Sequence, residues 1–305
     1  MGRATRRVGA DDVILVLAPV MWSFHIVGSK YSLSNGFLPM PFLIIRFVSA
    51  AIAFALVALF VERTLRIDGR SDRLHVAAAA LMFAANQIAF VYALKLTTAV
   101  TVSLVFGLFP ITVGVLAATI GREAMTAQKL AAGIVSFVGV SLVVIGIPGG
   151  MAELSGEVWG ILIALCIPLS WAFFSLLIGP PMQHNSPMRI NAVVLPATAF
   201  AVLVIGFSTL GEQDYAAPDA LAWICLAYSA LGTLVITNLL WFRVVDHVGA
   251  ARSSYFLNIQ PFGAALLAWL LLDETITVIQ ILGGIGIAAG IVISRVRVRT
   301  PALLE

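Results

Sequence analysis

The sequence is dominated by long apolar runs that charged residues seldom interrupt. We find ten such runs, each close to the length of about 20 residues that a helix needs to cross the hydrocarbon core of a bilayer. Hydrophobicity within them is continuous and does not alternate, which indicates helices rather than the strands of an outer-membrane barrel. The chain is therefore predicted to be an all-α integral membrane protein with ten transmembrane helices. The runs extend over Asp12–Ser34, Pro39–Val61, Leu74–Leu94, Thr98–Ile120, Gln128–Ile147, Val158–Ile178, Arg189–Ser208, Ala220–Arg243, Ala250–Leu272 and Val278–Ser294.

The composition supports this class. Hydrophobic residues make up 61% of the chain, charged residues 11%, and the mean hydropathy is +1.04, so polar surface is too scarce to cover a soluble globule of 305 residues. The first apolar run is too long for a signal peptide and lacks a small-residue cleavage site, so a retained first helix is expected. Cys166 and Cys225 fall inside apolar runs and are expected to be buried free thiols rather than a disulfide or a metal site.

Basic residues lie almost entirely on one predicted side of the membrane. If the N-terminus is cytoplasmic, the cytoplasmic segments contain 15 of the 18 Lys and Arg residues, and the others are Lys30, Lys95 and Arg46. This is the positive-inside asymmetry, and it predicts that residues 1–11 and 295–305 are both cytoplasmic. The same asymmetry accounts for the basic pI of about 9.1 without a nucleic-acid partner.

The chain repeats itself at a spacing of 151 residues, with ten identities in about 45 positions. Residues 12–147 and 157–294 are therefore predicted to be two repeats of five helices. Because five is odd, the second repeat enters the membrane from the opposite side, as in the inverted repeats of secondary transporters. This puts Glu123 and Glu274 at opposite membrane faces. The identical pairs are Ala99 with Ala250, Ser103 with Ser254, Pro110 with Pro261, Leu116 with Leu267, Ala117 with Ala268, Glu123 with Glu274, Thr126 with Thr277, Gly133 with Gly284, Ile134 with Ile285 and Gly139 with Gly290.

Ten helices in a duplicated order, a proline inside helices four and nine, and the helix ends AATIGRE and AWLLLDE resemble the EamA-type carriers of the drug/metabolite transporter superfamily. The second copy departs from the family pattern because its Asp-Glu lacks the preceding glycine. The resemblance implies an alternating-access carrier of the bacterial inner membrane that exports a small metabolite. It also implies a substrate site in a central cavity between the halves, and the YddG-like amino-acid exporters are one candidate subgroup.

Polar and aromatic side chains inside apolar helices are candidates for lining that cavity, because each is costly unless it faces the bundle interior. Hydrogen bonding that only holds the helices together remains an alternative for the amides. An interfacial position remains an alternative for the tryptophan and tyrosine side chains. The candidates for substrate binding are Trp22, His25, Asn86, Gln87, Trp171, Asn238, Trp241, Tyr255 and Asn258.

Two basic side chains, His25 and Arg46, lie inside predicted helices. His25, near the middle of helix one, is predicted either to exchange a proton during transport or to be a core histidine with satisfied hydrogen bonds. Arg46, about two turns into helix two, would contact a substrate carboxylate or, as the preferred alternative, helix-end carbonyls. No Asp or Glu lies well inside a predicted helix, which disfavours the binding of cations. Amino acids, aromatic ones among them, are the best candidate substrates.

Proline and glycine positions suggest how the helices bend and pack. Prolines inside the helices interrupt the backbone hydrogen bonds and are predicted to act as hinges, with static kinks as the alternative. The segment GGIGIAAG lies inside an apolar helix, so close helix packing through Gly286 and Gly290 is favoured over a nucleotide-binding loop. The proposed hinges are Pro19, Pro110, Pro168 and Pro261.

The sequence lacks the residue patterns expected of an enzyme. It contains no intramembrane carboxylate pair, no spaced histidine cluster, no nucleophile elbow and no P-loop lysine. No catalytic residue, metal or cofactor is therefore predicted. The alternative functions are a multidrug or organic-cation exporter of the same superfamily and, with less support, a channel or a membrane receptor. The expected partners are a small-molecule substrate and the lipid bilayer; proton coupling and the oligomeric state are left open, and a monomer is compatible with the sequence.

Overall fold

The computed structural model describes residues 9–62, 64–121, 126–146, 154–248, 253 and 256–295. Every regular element in these ranges is helical. Short 3-10 helices at Pro181–Gln183, Phe207–Gly211 and Phe256–Asn258 connect longer ones. The α-helices are α1 Ala10–Ser34, α2 Pro39–Glu62, α3 Arg70–Leu96, α4 Ala99–Phe106, α5 Phe109–Thr119, α6 Ala127–Ile145, α7 Leu154–Ile178, α8 Pro187–Gly206, α9 Ala220–Ala227, α10 Asn238–Val248, α11 Ile259–Leu271 and α12 Val278–Arg295.

Among the described residues, seven helical segments are long and apolar enough to cross a membrane. The pair α4 and α5, bent by 43°, adds an eighth if the two are counted as one span. The two remaining apolar helices, Phe256–Leu271 and Val278–Ser294, are shorter and lie where the ninth and tenth runs were predicted. The all-helical membrane class is confirmed, and the count of ten spans stays a prediction.

Helix packing follows the internal repeat. Helix α1 packs against α9 and α10, and the corresponding helices of the other copy, α7 and α3, pack against each other. Helix α2 packs on its counterpart α8, α4 on α11, and α6 on α12. Each of these helix contacts therefore either has an equivalent in the other half or joins two equivalent helices, as expected when a two-fold axis relates two repeats.

The backbone breaks also recur at the repeat spacing. In the first copy, Gly107 and Leu108 separate α4 from α5. In the second copy, the positions 151 residues later are Asn258 and Ile259, where the 3-10 helix ends and α11 begins. Pro110 and Pro261 follow these breaks, while α1 continues through its proline. Whether the prolines act as hinges stays a prediction.

One helix of the second copy differs from its counterpart. Residues Tyr228–Thr237, between α9 and α10, are π-helical, whereas the equivalent helix α3 is α-helical along its whole length. The hydroxyl of Thr237 donates to the carbonyl oxygen of Gly232, five residues earlier, at 2.8 Å. Short π-helical segments are rare and occur most often near functional sites.

Glycines bring α6 and α12 into close contact. A methyl group on Gly139 of α6 would lie 2.7 Å from the Gly283 carbonyl oxygen, and one on Gly290 of α12 would overlap the Ser136 hydroxyl oxygen. Gly286 also faces Gly139. The predicted role of Gly286 and Gly290 in helix packing is confirmed, because no side chain larger than hydrogen fits between these backbones.

We expect Gly139→Ala to lower the melting temperature of the protein in detergent. The new methyl group must separate two backbones, and overpacking of this kind costs about 1–3 kcal/mol. The matched control is Gly133→Ala on the same helix, where a methyl group meets no atom within 4 Å. Equal melting temperatures for the two variants would contradict the close packing of α6 and α12.

The two cysteines differ in exposure. Cys166 and Cys225 are free, as predicted, but the expectation that both are buried is wrong, because Cys166 is exposed on the outer surface of α7.

Glu123 lies outside the described residues, so its position at a membrane face stays a prediction. The carboxylate of Glu274 accepts hydrogen bonds from the Ala99 and Val100 N–H groups, both at 2.8 Å, and so caps α4.

Candidate functional site

Polar side chains from both repeats meet in the interior of the bundle. His25 of α1 is 7% exposed and Arg46 of α2 is 2% exposed. Asn86 of α3 and Ser229 of the π-helical segment are also buried. Because a buried polar group is costly unless it is hydrogen-bonded, the partners of each of these side chains determine what the cluster can do.

The arrangement of His25 and Arg46 fixes the protonation of the imidazole. The Arg46 Nη2 lies 3.1 Å from the His25 Nε2, and a guanidinium group can only donate. The His25 Nε2 must therefore accept, so the ring is neutral and carries its hydrogen on Nδ1. The Nδ1 lies 2.9 Å from the Ser229 hydroxyl oxygen and 3.1 Å from that of Ser29.

A chain of hydrogen bonds continues from Arg46 to the second repeat. The Arg46 Nη1 donates to the Gln87 Oε1 at 2.7 Å, and the Gln87 Nε2 donates to the Asn86 Oδ1 at 2.9 Å. The Asn86 Nδ2 then donates to the Ile167 carbonyl oxygen of α7 at 2.8 Å and contacts the Ser170 hydroxyl at 3.3 Å. The polar cluster thus joins α1, α2 and α3 of one repeat to α7 of the other.

Arg46 is a buried cation without a carboxylate partner in the part of the chain that the structure describes. Its acceptors are His25, Gln87 and the Ser229 carbonyl oxygen, which lies 3.4 Å from Nε, and its guanidinium also lies 5.2 Å from the centre of the Phe47 ring. Neutral acceptors offset only part of the cost of desolvating a cation. The site therefore has capacity for an anion. The contacts between basic and acidic groups in the described ranges are Arg189 with Glu62, His184 with Asp72, and His247 with Asp11.

Aromatic rings extend from the polar cluster toward α7. The Phe90 ring lies 5.2 Å from that of His25, and Trp171 lies further along the row, with its ring stacked on Phe109 at 5.3 Å and 14°. Rings at this spacing are in direct contact with one another. We call this set the aromatic row; its members are Phe83, Phe90, Phe106, Phe109, Trp171 and Phe174.

The structure brings some of the sequence-predicted residues together and separates others. His25, Asn86 and Gln87 belong to one hydrogen-bonded cluster with Arg46, and Trp171 lies in the aromatic row. Trp22 and Trp241 form a second aromatic pair, with ring centres 5.3 Å apart.

The remaining predicted residues are Asn238, Asn258 and Tyr255. The Asn238 Nδ2 donates to the Leu234 carbonyl oxygen of its own helix at 3.1 Å. Asn258 lies in the short helix before α11 and is half-buried. Tyr255 lies outside the described residues.

Ser229 of the polar cluster and the phenylalanines of the aromatic row were not predicted from the sequence. Ser229 could have been found, since Ser229, Thr233 and Thr237 follow one another at intervals of four and so mark one polar helix face. The phenylalanines of the aromatic row have no such signal. In an apolar helix, a phenylalanine that faces the interior and one that faces lipid have the same sequence context.

Contacts between the repeats lie at both ends of the bundle. At one end, the Arg189 Nη2 donates to the Glu62 Oε2 at 3.0 Å, and the Ser186 hydroxyl also donates to Glu62. At the other end, the Tyr31 hydroxyl donates to the Asp219 Oδ2 at 2.7 Å, which lowers the pKa of the Asp219 carboxyl. A groove of about 280 Å³ lies beside the Glu62 contact. Its lining is Val61, Glu62, Ser186, Pro187, Met188, Leu239, Phe242, Arg243 and His247.

The chain is similar to several bacterial membrane proteins that are named as transporters. It is 24% identical over 264 residues to the uncharacterized transporter YyaM of Bacillus subtilis, with 84% of each chain covered. The uncharacterized transporter YetK of the same organism is 22% identical over 70% of this chain and 65% of its own length. The uncharacterized inner membrane transporter YedA of Escherichia coli is 29% identical over 47% of each chain.

A solved crystal structure has the same fold. It covers 94% of this chain and 96% of its own, with a TM-score of 0.64 and 16% sequence identity. The model of the EamA-like transporter family matches the chain twice, at residues 11–145 and 158–296. Together the two matches span most of the chain, one for each of the repeats found in the sequence. The chain therefore belongs to the EamA-like transporter family.

Proposed function

We propose that this protein is a secondary transporter that exports amino acids, aromatic ones included, across the bacterial inner membrane by alternating access. The observation that carries this proposal is the composition of the buried cluster. Arg46 can bind a carboxylate, the adjacent aromatic row can stack with an aromatic side chain, and both lie where the two repeats meet. A transporter of the YddG-like amino-acid exporter kind would need such a site.

The proposed topology has ten spans, two inverted repeats and both termini in the cytoplasm. The distribution of Lys and Arg supports it, because an extra or missing span would reverse every later loop. With this topology the Glu62 contact lies at the cytoplasmic end and the Asp219 contact at the outer end. Alternating access requires that these two contacts break in turn, and the groove beside Glu62 is the proposed route from the cytoplasm.

The alternative function is export of organic cations by a carrier of the same superfamily. The charge of the buried cluster opposes it, because a cation at this position would be repelled by Arg46 and would meet no carboxylate among the described residues. A channel or a receptor has no need of two equivalent halves. We therefore favour a carrier for zwitterions.

Counterflow in proteoliposomes tests the proposal. Purified protein is reconstituted, and uptake of labelled L-tryptophan is measured with and without unlabelled L-tryptophan inside the vesicles. We expect internal substrate to accelerate uptake, and the rate to saturate with external concentration, because a carrier exchanges substrates through one site. The controls are protein-free vesicles and labelled tetraethylammonium. Exchange of tetraethylammonium but of no amino acid would favour the alternative, and uptake unaffected by internal substrate would contradict a carrier.

A further inference from the structure

Resting on the function proposed above, we propose that His25 and Arg46 form one coupled site for a carboxylate and a proton, so that each carboxylate substrate crosses the membrane together with a proton. His25 and Arg46 are joined by a direct hydrogen bond. The Arg46 Nη2 donates to the His25 Nε2 at 3.1 Å, which leaves the only free nitrogen lone pair of the neutral imidazole occupied by a cation.

A proton cannot join this arrangement by itself. If the His25 Nε2 bound a proton, two N–H groups and two positive charges would face each other in the bundle interior. From the other helices packed on α1, α3 presents the Phe90 ring, and the Tyr228 hydroxyl donates to the Met21 carbonyl oxygen one turn away. The Cys225 thiol lies against Gly28. The described titratable side chains of α10 are Arg243 and His247, and the His247 ring contacts Asp11 at the start of α1, far along the helix from His25. Helices α4 and α11 carry no titratable side chain, so nothing described there could balance a second charge.

A carboxylate removes this obstacle. Its two oxygens can accept from the Arg46 guanidinium on one side and from a protonated His25 Nε2 on the other, so it would lie between the two groups that now contact each other directly. The Gln87 side-chain amide and the Ser229 carbonyl now accept hydrogen bonds from Arg46. Both can take other donors when the carboxylate binds Arg46. The carboxylate favours the proton, and the proton favours the carboxylate, by the same factor.

Two consequences follow for transport. A carboxylate substrate takes up a proton when it binds and loses it when it leaves, so the proton and the substrate move in the same direction. Export is then driven by the outward gradient of the substrate itself, because the accompanying proton moves against the inward proton-motive force. The empty carrier keeps His25 neutral and does not move protons on its return. A substrate analogue without a carboxylate has no such coupling, because it cannot separate Arg46 from His25.

Calorimetric titration of the purified protein tests this inference, with L-tryptophan and tryptamine as ligands between pH 5.5 and 8.5. The wild type should bind L-tryptophan more tightly as the pH falls, by up to about tenfold for each pH unit, since one proton is linked to binding. Repeating the titration in buffers of different ionisation enthalpy should show uptake of one proton for each L-tryptophan. Tryptamine, a cation without a carboxylate, should show neither binding at the Arg46 site nor uptake of protons by the protein.

The informative variant is His25→Gln, whose side-chain oxygen can still accept from Arg46 but cannot bind a proton. It should bind L-tryptophan with an affinity that does not change with pH. The matched control is His75→Gln on α3, where the native ring contacts the Ser71 carbonyl oxygen of its own helix at 2.9 Å, and it should behave like the wild type.

Three results would overturn the inference. One is counterflow of L-tryptophan in the wild type without uptake of a proton on binding, which would leave the proposed function intact. Another is an unchanged pH dependence in His25→Gln. Failure of L-tryptophan to bind at any pH would overturn the inference and the proposed substrate class together. If His25→Gln does not fold, the buffer comparison on the wild type decides the question alone.

Discussion

Replacing Arg46 by methionine should abolish counterflow of L-tryptophan while leaving the protein folded and at least as stable as the wild type. The guanidinium is buried without a carboxylate partner among the described residues, so the empty protein bears the cost of desolvating it. Methionine fills a similar volume and removes that cost, which offsets the loss of the Arg46 hydrogen bonds to His25 and Gln87. It also removes the proposed partner of the substrate carboxylate. We therefore expect a loss of activity with no loss of stability, which a merely structural arginine would not give.

The expected loss of transport is about 100-fold or more, since removing one partner of a buried, hydrogen-bonded charge pair costs about 3–5 kcal/mol. Arg46→Lys should retain part of the activity, because it keeps the charge but not the planar fork of donors. The matched control is Arg73→Met at the exposed start of α3. Counterflow of Arg46→Met at the wild-type rate would remove Arg46 from the proposed site, and a large drop in melting temperature would assign it a structural role.

The second large effect concerns the aromatic row. Trp171→Ala should raise the half-saturation concentration for L-tryptophan and L-phenylalanine by about two- to tenfold, because a lost stacking contact is worth about 0.5–1.5 kcal/mol and a factor of ten is about 1.4 kcal/mol. The effect on L-alanine should be much smaller, since a methyl side chain does not stack. Trp171→Phe should lie between the wild type and Trp171→Ala.

The matched control for this experiment is Trp159→Ala on the same helix. The Trp159 side chain is 64% exposed, so it faces away from the bundle interior and should not affect the substrate site. Half-saturation concentrations for each substrate, measured from initial rates of counterflow, give the comparison. Equal changes for L-tryptophan and L-alanine in Trp171→Ala would contradict a role of the aromatic row in recognising the substrate ring.

Much of the fold could be predicted from the sequence because the lipid environment restricts it so strongly. A spanning segment must satisfy its own backbone hydrogen bonds, so each apolar run of sufficient length becomes a helix. The repeat at 151 residues then predicted which helices are equivalent, and the start of α12 at Val278 lies 151 residues after the start of α6 at Ala127. The π-helical segment could not be predicted, since its sequence is as apolar as that of an α-helix.

The candidate site was predicted only in part. His25, Arg46, Asn86 and Gln87 were identified one by one, because an ionisable or amide side chain is costly in an apolar helix. Their connection could not be predicted, because it depends on how three separate helices are rotated about their axes. Arg46 shows the difference: helix-end carbonyls were its preferred partners in the sequence, and the structure gives it a histidine, a glutamine and the Ser229 carbonyl.

The π-helical segment Tyr228–Thr237 makes the two halves unequal where they matter most. Its equivalent in the first repeat, α3, is a regular α-helix, and the Ser229 carbonyl and hydroxyl of the π-helical segment contact Arg46 and His25. A carrier built from two equal halves would have inward-facing and outward-facing states of the same free energy. Here an exchange of roles would require the wide helix to narrow by one residue per turn, which rotates every side chain beyond it. In the alternating-access cycle proposed above, this segment would therefore give the inward-facing and outward-facing states different free energies.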